Sequence, residues 1–241
     1  MSITKYYPNS EAVSKSSIGK QLEMELRIRI ISQDILKDTV LSENQIANEY
    51  QISRSPVREA LRVLEKEKLL RLERMGVVVM GISEADIEEI YDIRLLIESF
   101  VVNRLLELEN KELLIELNKI VEMMKVSIRY QDIDEFSKQD LKFHETIIYS
   151  IHHQQIAMVW DQLKPVMECL VILSMRYRGI TNYDDFSRVI QNHQLIIQAL
   201  TEKKTDLVEA AFDKNFNDVQ NKVESLWTSS DMLKKARDYI G

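Results

Sequence analysis

At 241 residues, 45% hydrophobic and 29% charged, the chain is long enough for two ordinary globular domains, and with only 5 Gly and 3 Pro a turn-rich sheet protein is excluded in favour of a mostly α one. The net charge of −7 hides a division: residues 10–80 hold 12 Lys/Arg against 11 Asp/Glu, and residues 81–241 hold 19 against 28, so the acidic excess does not exclude a nucleic-acid binder in the first part. The single Cys169 excludes an intrachain disulfide, and with no apolar signal core at the start and no run of roughly 18 uncharged apolar residues, the cytoplasm is the expected compartment and no membrane partner is expected.

Between residues 17 and 37, Ile18, Leu22, Leu26, Ile30 and Leu36 recur at helical spacing, which predicts the first helix. Ser42 stands three residues before Gln45, a capping-box pattern that opens a short helix through Tyr50. Ser53 with Pro56 marks the start of another, running to about Lys66, since Pro is tolerated in a first turn. Leu-Leu-Arg-Leu-Glu after Lys68 and Val-Val-Val-Met after Gly76 then read as two strands of a hairpin, the only one expected.

Gly81 ends this region, and the expected division is residues 1–81 and 82–241. Six helices are expected in the second part, at about 83–108, 110–130, 132–151, 154–178, 183–201 and 204–227. The fold class is therefore three helices plus a β-hairpin, a winged helix-turn-helix, followed by an all-α bundle of six or seven helices.

In a winged helix-turn-helix the second helix of the pair enters the major groove. Ser53, Arg54, Ser55 and Arg58 cluster at its start, with Val57, Ala60, Leu61 and Leu64 on the opposite face. An arginine fork reads guanine O6 and N7, whereas hydroxyls position on phosphate. Motif alone leaves open that these arginines decorate a solvated helix, paired with Glu59 or Glu65.

The run SENQIANEYQISRSPVREALRVLEKEKLLRLERMGVVV resembles the DNA-binding domain of the GntR family, with Ser53, Arg54, Val57, Arg58, Glu59, Ala60, Leu61 and Leu64 in register. The resemblance implies DNA contacts from Ser53, Arg54, Ser55 and Arg58, and a wing tip at Gly76 in the minor groove. Asn44 stands where relatives often carry Arg and is taken as a further, altered contact.

In the second part, polar groups stand on apolar stripes. Arg94 and Glu98 lie among Ile87, Tyr91, Ile97 and Val101, either as a structural ion pair or as part of a polar cavity. Asp140 and His144 share a face with Phe136, Phe143 and Ile147; His193 lies among Phe186, Ile190 and Ile197; Asn215 lies among Val208, Phe212 and Val219. A carboxylate with imidazoles suits Zn, Ni, Mn or Fe, and separately satisfied core polar groups are the other reading. His152 and His153 are placed in a loop. Arg129, Arg176 and Arg178 are read as helix-end surface charge, with carboxylate binding as the alternative.

The spacing Tyr91-x-x-Arg94-x-x-x-Glu98, Asp140-x3-His144 and His193 is similar to the FCD ligand-binding domain of the FadR subfamily. That resemblance implies a divalent metal held by Asp140, His144 and His193, with Asn215 where the family pattern has a third His, and a small carboxylate or sugar acid near Arg94 and Glu98. Some members of that family bind acyl-CoA without metal. The function expected is a dimeric regulator, most often a repressor, on operator DNA with two-fold-related half-sites. A metal-dependent enzyme with an accessory nucleic-acid domain is the alternative, although no nucleophile with a partnered base supports it.

Overall fold

The computed structural model describes residues 3–8, 11–74, 76–208, 210–211, 214, 226–227 and 229–239. They form two compact units, one of residues up to Ser83 together with the C-terminal helix Ser230–Asp238, the other running from Glu84 to Ser229. This differs from the division at residue 81 expected from sequence, because the last helix joins the first unit. Leu233 and Ala236 are buried there, Arg237 Nη1 donates to Asp34 Oδ1 at 2.8 Å, and the same guanidinium lies 4.7 Å above the Tyr6 ring.

The first unit contains α1 (Glu11–Lys15), α2 (Ile18–Ile31), β1 (Val40–Leu41), α3 (Glu43–Tyr50), α4 (Arg54–Lys66), β2 (Leu70–Glu73) and β3 (Gly76–Val79). Ser17 caps α2 by accepting from the Lys20 amide. The helix stops at Ile31 rather than near residue 37: Gln33 turns left-handed at φ +57°, and the Arg29 carbonyl accepts from the Asp34 and Ile35 amides instead. Leu36, assigned to the apolar stripe by spacing, is consequently 61% exposed.

The capping box at α3 is complete, with Ser42 Oγ accepting from Gln45 N and Gln45 Oε1 accepting from Ser42 N. Helix α4 buries Val57, Ala60, Leu61 and Leu64 against α2. Arg27 of α2 reaches the end of α4, where its Nε and Nη2 donate to the two oxygens of Glu67, each at 2.6 Å.

The expected hairpin is present, and β1 adds a third strand in the antiparallel order β1-β3-β2. Two residues are too few to show a period in sequence. Gly76 is the first residue of β3, paired with Glu73, so it stands in the strand rather than in the turn, which Arg74 enters. Its φ of +151°, and the 2.9 Å that would separate an added Cβ from the Leu41 carbonyl oxygen, require glycine where β3 passes β1.

The second unit stacks α5 (Glu84–Leu105), α6 (Lys111–Arg129), α7 (Ile133–Ser150), α8 (Gln154–Thr181) and α9 (Phe186–Glu202), with a 3-10 turn at Tyr183–Asp185. Helix α7 packs against α5, α6 and α8, so its inward face meets three neighbours. Residues 205–208 are helical, and most of the expected sixth helix, including Asn215, lies outside the described residues.

Arg176 and Arg178, expected at the surface, are buried on α8: their helix passes α7 and the 3-10 turn, whose carboxylates meet them. Arg176 donates to both oxygens of Asp134 at 2.7 and 2.8 Å, and Arg178 pairs with Asp185. Arg129 is exposed, and His152 and His153 stand in the turn between α7 and α8 as expected.

Candidate DNA-reading face and buried polar centre

Gln51 ends α3 in the left-handed region at φ +55°, and the Ile52 amide donates to the Ala47 carbonyl, which turns the chain sharply into α4. Ser53 stands at the N-cap, and Arg54, Ser55 and Arg58 are exposed, all opposite the buried apolar face. The expected set is thus brought to one side of one helix, and exposed Arg62 extends it. Asn44 is exposed in the first turn of α3.

Glu43, one residue earlier, accepts hydrogen bonds from both Arg54 and Arg58. The sequence reading missed it, because its capping-box argument used only Ser42 and Gln45, and contacts 11 and 15 residues apart have no local periodicity. It also missed Arg74, an exposed cation in the wing turn, having placed the tip at Gly76.

In the second unit, α5, α7 and α9 bring five polar side chains together in the core. Arg94 Nε donates to Glu98 Oε1 at 2.7 Å, and His144 Nδ1 lies 2.7 Å from Glu98 Oε2. His193 Nδ1 is 2.8 Å from the Val189 carbonyl oxygen, and its Nε2 is 3.2 Å from Asp140 Oδ1. The two imidazoles meet with ring centres 5.1 Å apart, and Phe143 packs edge-on against both. All five groups are at most 5% exposed.

These contacts place a proton on Nδ1 of each ring. A carbonyl and an ionised carboxylate only accept, so each imidazole carries a proton on Nδ1, and in the neutral ring it is the Nε2 lone pair that turns inward. Among the described residues, His193 Nε2 is buried without a hydrogen-bond partner of acceptable geometry, although Asp140 is near. One ligand atom from each of Asp140, His144 and His193 lies within 4.8 Å of the others. Carboxylates and imidazoles presenting such lone pairs around one point can hold a divalent cation.

Electrostatics agree. Burial would raise the Glu98 carboxyl, but His144 and Arg94 hold it down at about 2. Burial likewise works against the Asp140 anion, and a His193 that bears a proton on Nε2, with His144 and Arg94, holds its carboxyl well below the ordinary range. His144 is lowered by burial and then by Arg94, which outweigh Glu98 and favour the neutral ring that a metal requires. Tyr91, buried on the same face of α5, is raised by burial. Arg94 and Glu98 are thus both an ion pair and part of the polar centre, two readings posed as alternatives by the sequence. An open surface cleft lined by Leu105, Leu108, Leu113, Thr146, Tyr149 and Ser150 contains none of these groups.

Residues 18–79 match the family of bacterial regulatory proteins named gntR, and residues 89–217 match the FCD domain. The chain is 53% identical to the gluconate operon transcriptional repressor of Bacillus subtilis, over 97% of this chain and 96% of that one. It is also 53% identical to the protein of the same name from Bacillus licheniformis, over 94% and 93%. Among solved structures, Escherichia coli McbR/YncC superposes with a TM-score of 0.66 at 19% identity, over 87% of this chain and 99% of that one, a likeness of fold.

Proposed function

Because the chain belongs to the GntR family of bacterial regulatory proteins and carries an FCD domain, we propose that it represses a sugar-acid operon and leaves its operator when a sugar acid, gluconate first, occupies the second unit. The observation that carries this reading is the 53% identity, sustained over 97% of the chain, with a gluconate operon repressor. The chain is a transcription regulator and not an enzyme: the matched families are regulatory and the relatives of highest identity are named repressors. Among the described residues no helix is long and apolar enough to cross a membrane.

The effector reading rests on the buried centre. With neutral imidazoles, Arg94, Glu98 and Asp140 sum to −1, and a divalent ion brings the sum to +1, which favours an anionic ligand. Asp140, His144 and His193 hold that ion, the orphaned Nε2 of His193 being the feature that asks for it. When bound it supplies a Lewis-acidic point for a carboxylate or hydroxyl of the effector. Arg94 holds the Glu98 carboxylate, which in turn orients His144.

The functional unit is a homodimer, because one winged helix-turn-helix reads too few base pairs for genomic specificity and paired modules on two half-sites solve this. An exposed apolar stripe on α5, made by Ile93, Leu96 and Phe100, supports joining through the second unit.

The test is fluorescence anisotropy with a labelled duplex from immediately upstream of the chain's own gene. Specific binding that weakens on adding gluconate is the expected result. Specific binding that no sugar acid alters, with or without added Zn, Ni or Mn, would overturn the effector assignment while leaving the DNA assignment standing.

A further inference from the structure

Glu43 at the start of α3 reaches across to α4 and gathers both recognition arginines. Arg54 donates to its Oε2 from Nε at 3.2 Å and from Nη2 at 2.7 Å, and Arg58 donates from Nε to Oε1 and Oε2 at 3.0 and 2.8 Å. The side chains are 29%, 54% and 51% exposed, and ion pairs that open to water contribute little stability. A stability role therefore leaves the arrangement unexplained, and its place on the face that meets DNA points elsewhere.

We propose that Glu43 is a positioning residue for DNA selectivity, holding Arg54 and Arg58 as one fixed pair and competing with DNA phosphate for them. The inference rests on the reading that α4 enters the major groove. An unbuttressed arginine samples many rotamers, and ordering it on binding costs conformational entropy. Glu43 removes part of that cost in advance. It also takes the Nε side of each guanidinium, which leaves the terminal Nη edge to meet guanine O6 and N7 end-on. A phosphate is penalised in either mode: side-on it must displace Glu43 from the same donors, and at the free terminal edge its charge is repelled by the nearby carboxylate, which a neutral guanine is not. Specificity is a difference of affinities, so a group that penalises the phosphate-only mode raises it.

The carboxylate stays ionised in this role. Hydrogen bonds from Arg54, then Arg58, hold its carboxyl below the ordinary range despite some burial, and its place in the first turn of α3 adds the favourable end of the helix dipole. Ser42 and Gln45 cap α3 without it, so removing its charge leaves the helix start intact.

The experiment measures the full-length chain and its Glu43→Gln variant, by anisotropy across a salt series, on the upstream duplex and on a shuffled duplex of equal composition. For Glu43→Gln the shuffled duplex is expected to bind several-fold tighter, with a steeper fall of log K against log salt as two cations turn to phosphate. The ratio of upstream to shuffled affinity is expected to fall at least fivefold. Glu43→Asp, one methylene short of reaching both arginines, is expected to lower the ratio with a smaller change in salt slope, and it carries the same comparison should Glu43→Gln fold poorly. Ratio and slope within twofold of wild type would overturn the inference, as would a uniform loss on both duplexes, which is what a merely structural role predicts. A wild-type chain that binds neither duplex, or both equally, would overturn the DNA-reading assignment and this inference with it.

Discussion

His193 Nε2 lies 3.2 Å from Asp140 Oδ1, and with Nδ1 donating to the Val189 carbonyl the neutral ring brings two lone-pair-bearing atoms face to face. Only a second proton on the ring or a cation between the atoms relieves that repulsion. The first makes a buried imidazolium–carboxylate pair; the second makes a metal centre with His144. The wild-type chain is expected to take up one Zn, Ni or Mn per chain in calorimetric titration, and His193→Ala to take up none. A metal requires the unprotonated Nε2, so uptake should decline in acid, and burial with Arg94, which lower His144, move that decline to lower pH than for a free imidazole. No uptake by the wild type at neutral pH would select the imidazolium pair.

Glu67→Ala tests the link between α2 and α4. Its side chain and that of Arg27 are 8% and 2% exposed and joined by two short hydrogen bonds. Removing one partner of such a pair costs about 3–5 kcal/mol, because a guanidinium is left in the core without its carboxylate. Replacing both, Arg27→Met with Glu67→Leu, should cost clearly less. Denaturant unfolding of the first unit's transition measures both, and equal losses would contradict the pairing.

Tyr50 gives an alkaline test. Burial pushes its hydroxyl up from 10.0 to about 12, against the opposing charge of Arg29, whose Nη1 donates to Tyr50 Oη at 2.7 Å. A group raised in the folded state contributes stability that is present below its unfolded pKa and lost as pH rises through the folded one. The contribution is therefore complete below pH 10 and gone above about pH 12, with an upper bound of about 3 kcal/mol from two units at about 1.4 kcal/mol each. Tyr50→Phe should flatten the fall of melting temperature between pH 10 and 12. An unchanged slope would show that other tyrosines govern it.

Much of this was legible in sequence. The capping box at Ser42, the opposed faces of α4 and the inward positions of Asp140, His144 and His193 follow from spacing, since helical periodicity fixes which residues share a face. Periodicity does not say where a stripe ends, which is why Leu36 was counted inside α2. Nor does it tell a core cation from a surface one at a helix end, so Arg176 and Arg178 were misplaced. Their burial depends on Asp134 and Asp185, carboxylates on other elements. Contacts of this kind, with Glu43 among them, arise only when helices pack. The last helix, Ser230–Asp238, was not expected at all, since the helices read from spacing end at about residue 227.

Arg54→Ala and Arg58→Ala should each weaken binding to the upstream duplex and leave melting unchanged, because both side chains are more than half exposed. An arginine that reads a base should cost about 1–3 kcal/mol and relax preference at one base pair; one that meets phosphate should reduce the salt slope by about 1. Anisotropy across single-base variants of the duplex separates the two. Unchanged affinity in both variants would remove α4 from the DNA interface.

Leu96→Glu tests the pairing surface. Leu96 is 70% exposed on α5 between Ile93 and Phe100, which are 37% and 41% exposed, and Arg104 covers part of the Phe100 ring at 4.6 Å. A carboxylate at this position meets water in a monomer, so folding should be almost unaffected. In a dimer it meets its own two-fold copy or the apolar stripe, and burying such a charge without a partner costs several kcal/mol. At 1.4 kcal/mol per factor of ten, even 3 kcal/mol weakens association more than a hundredfold. Sedimentation equilibrium at micromolar concentration should therefore show a dimer for the wild type and a monomer for Leu96→Glu. Affinity for the upstream duplex should fall with it, since two half-sites would then be filled independently. If Leu96→Glu sediments as a dimer, the stripe on α5 is not the pairing surface.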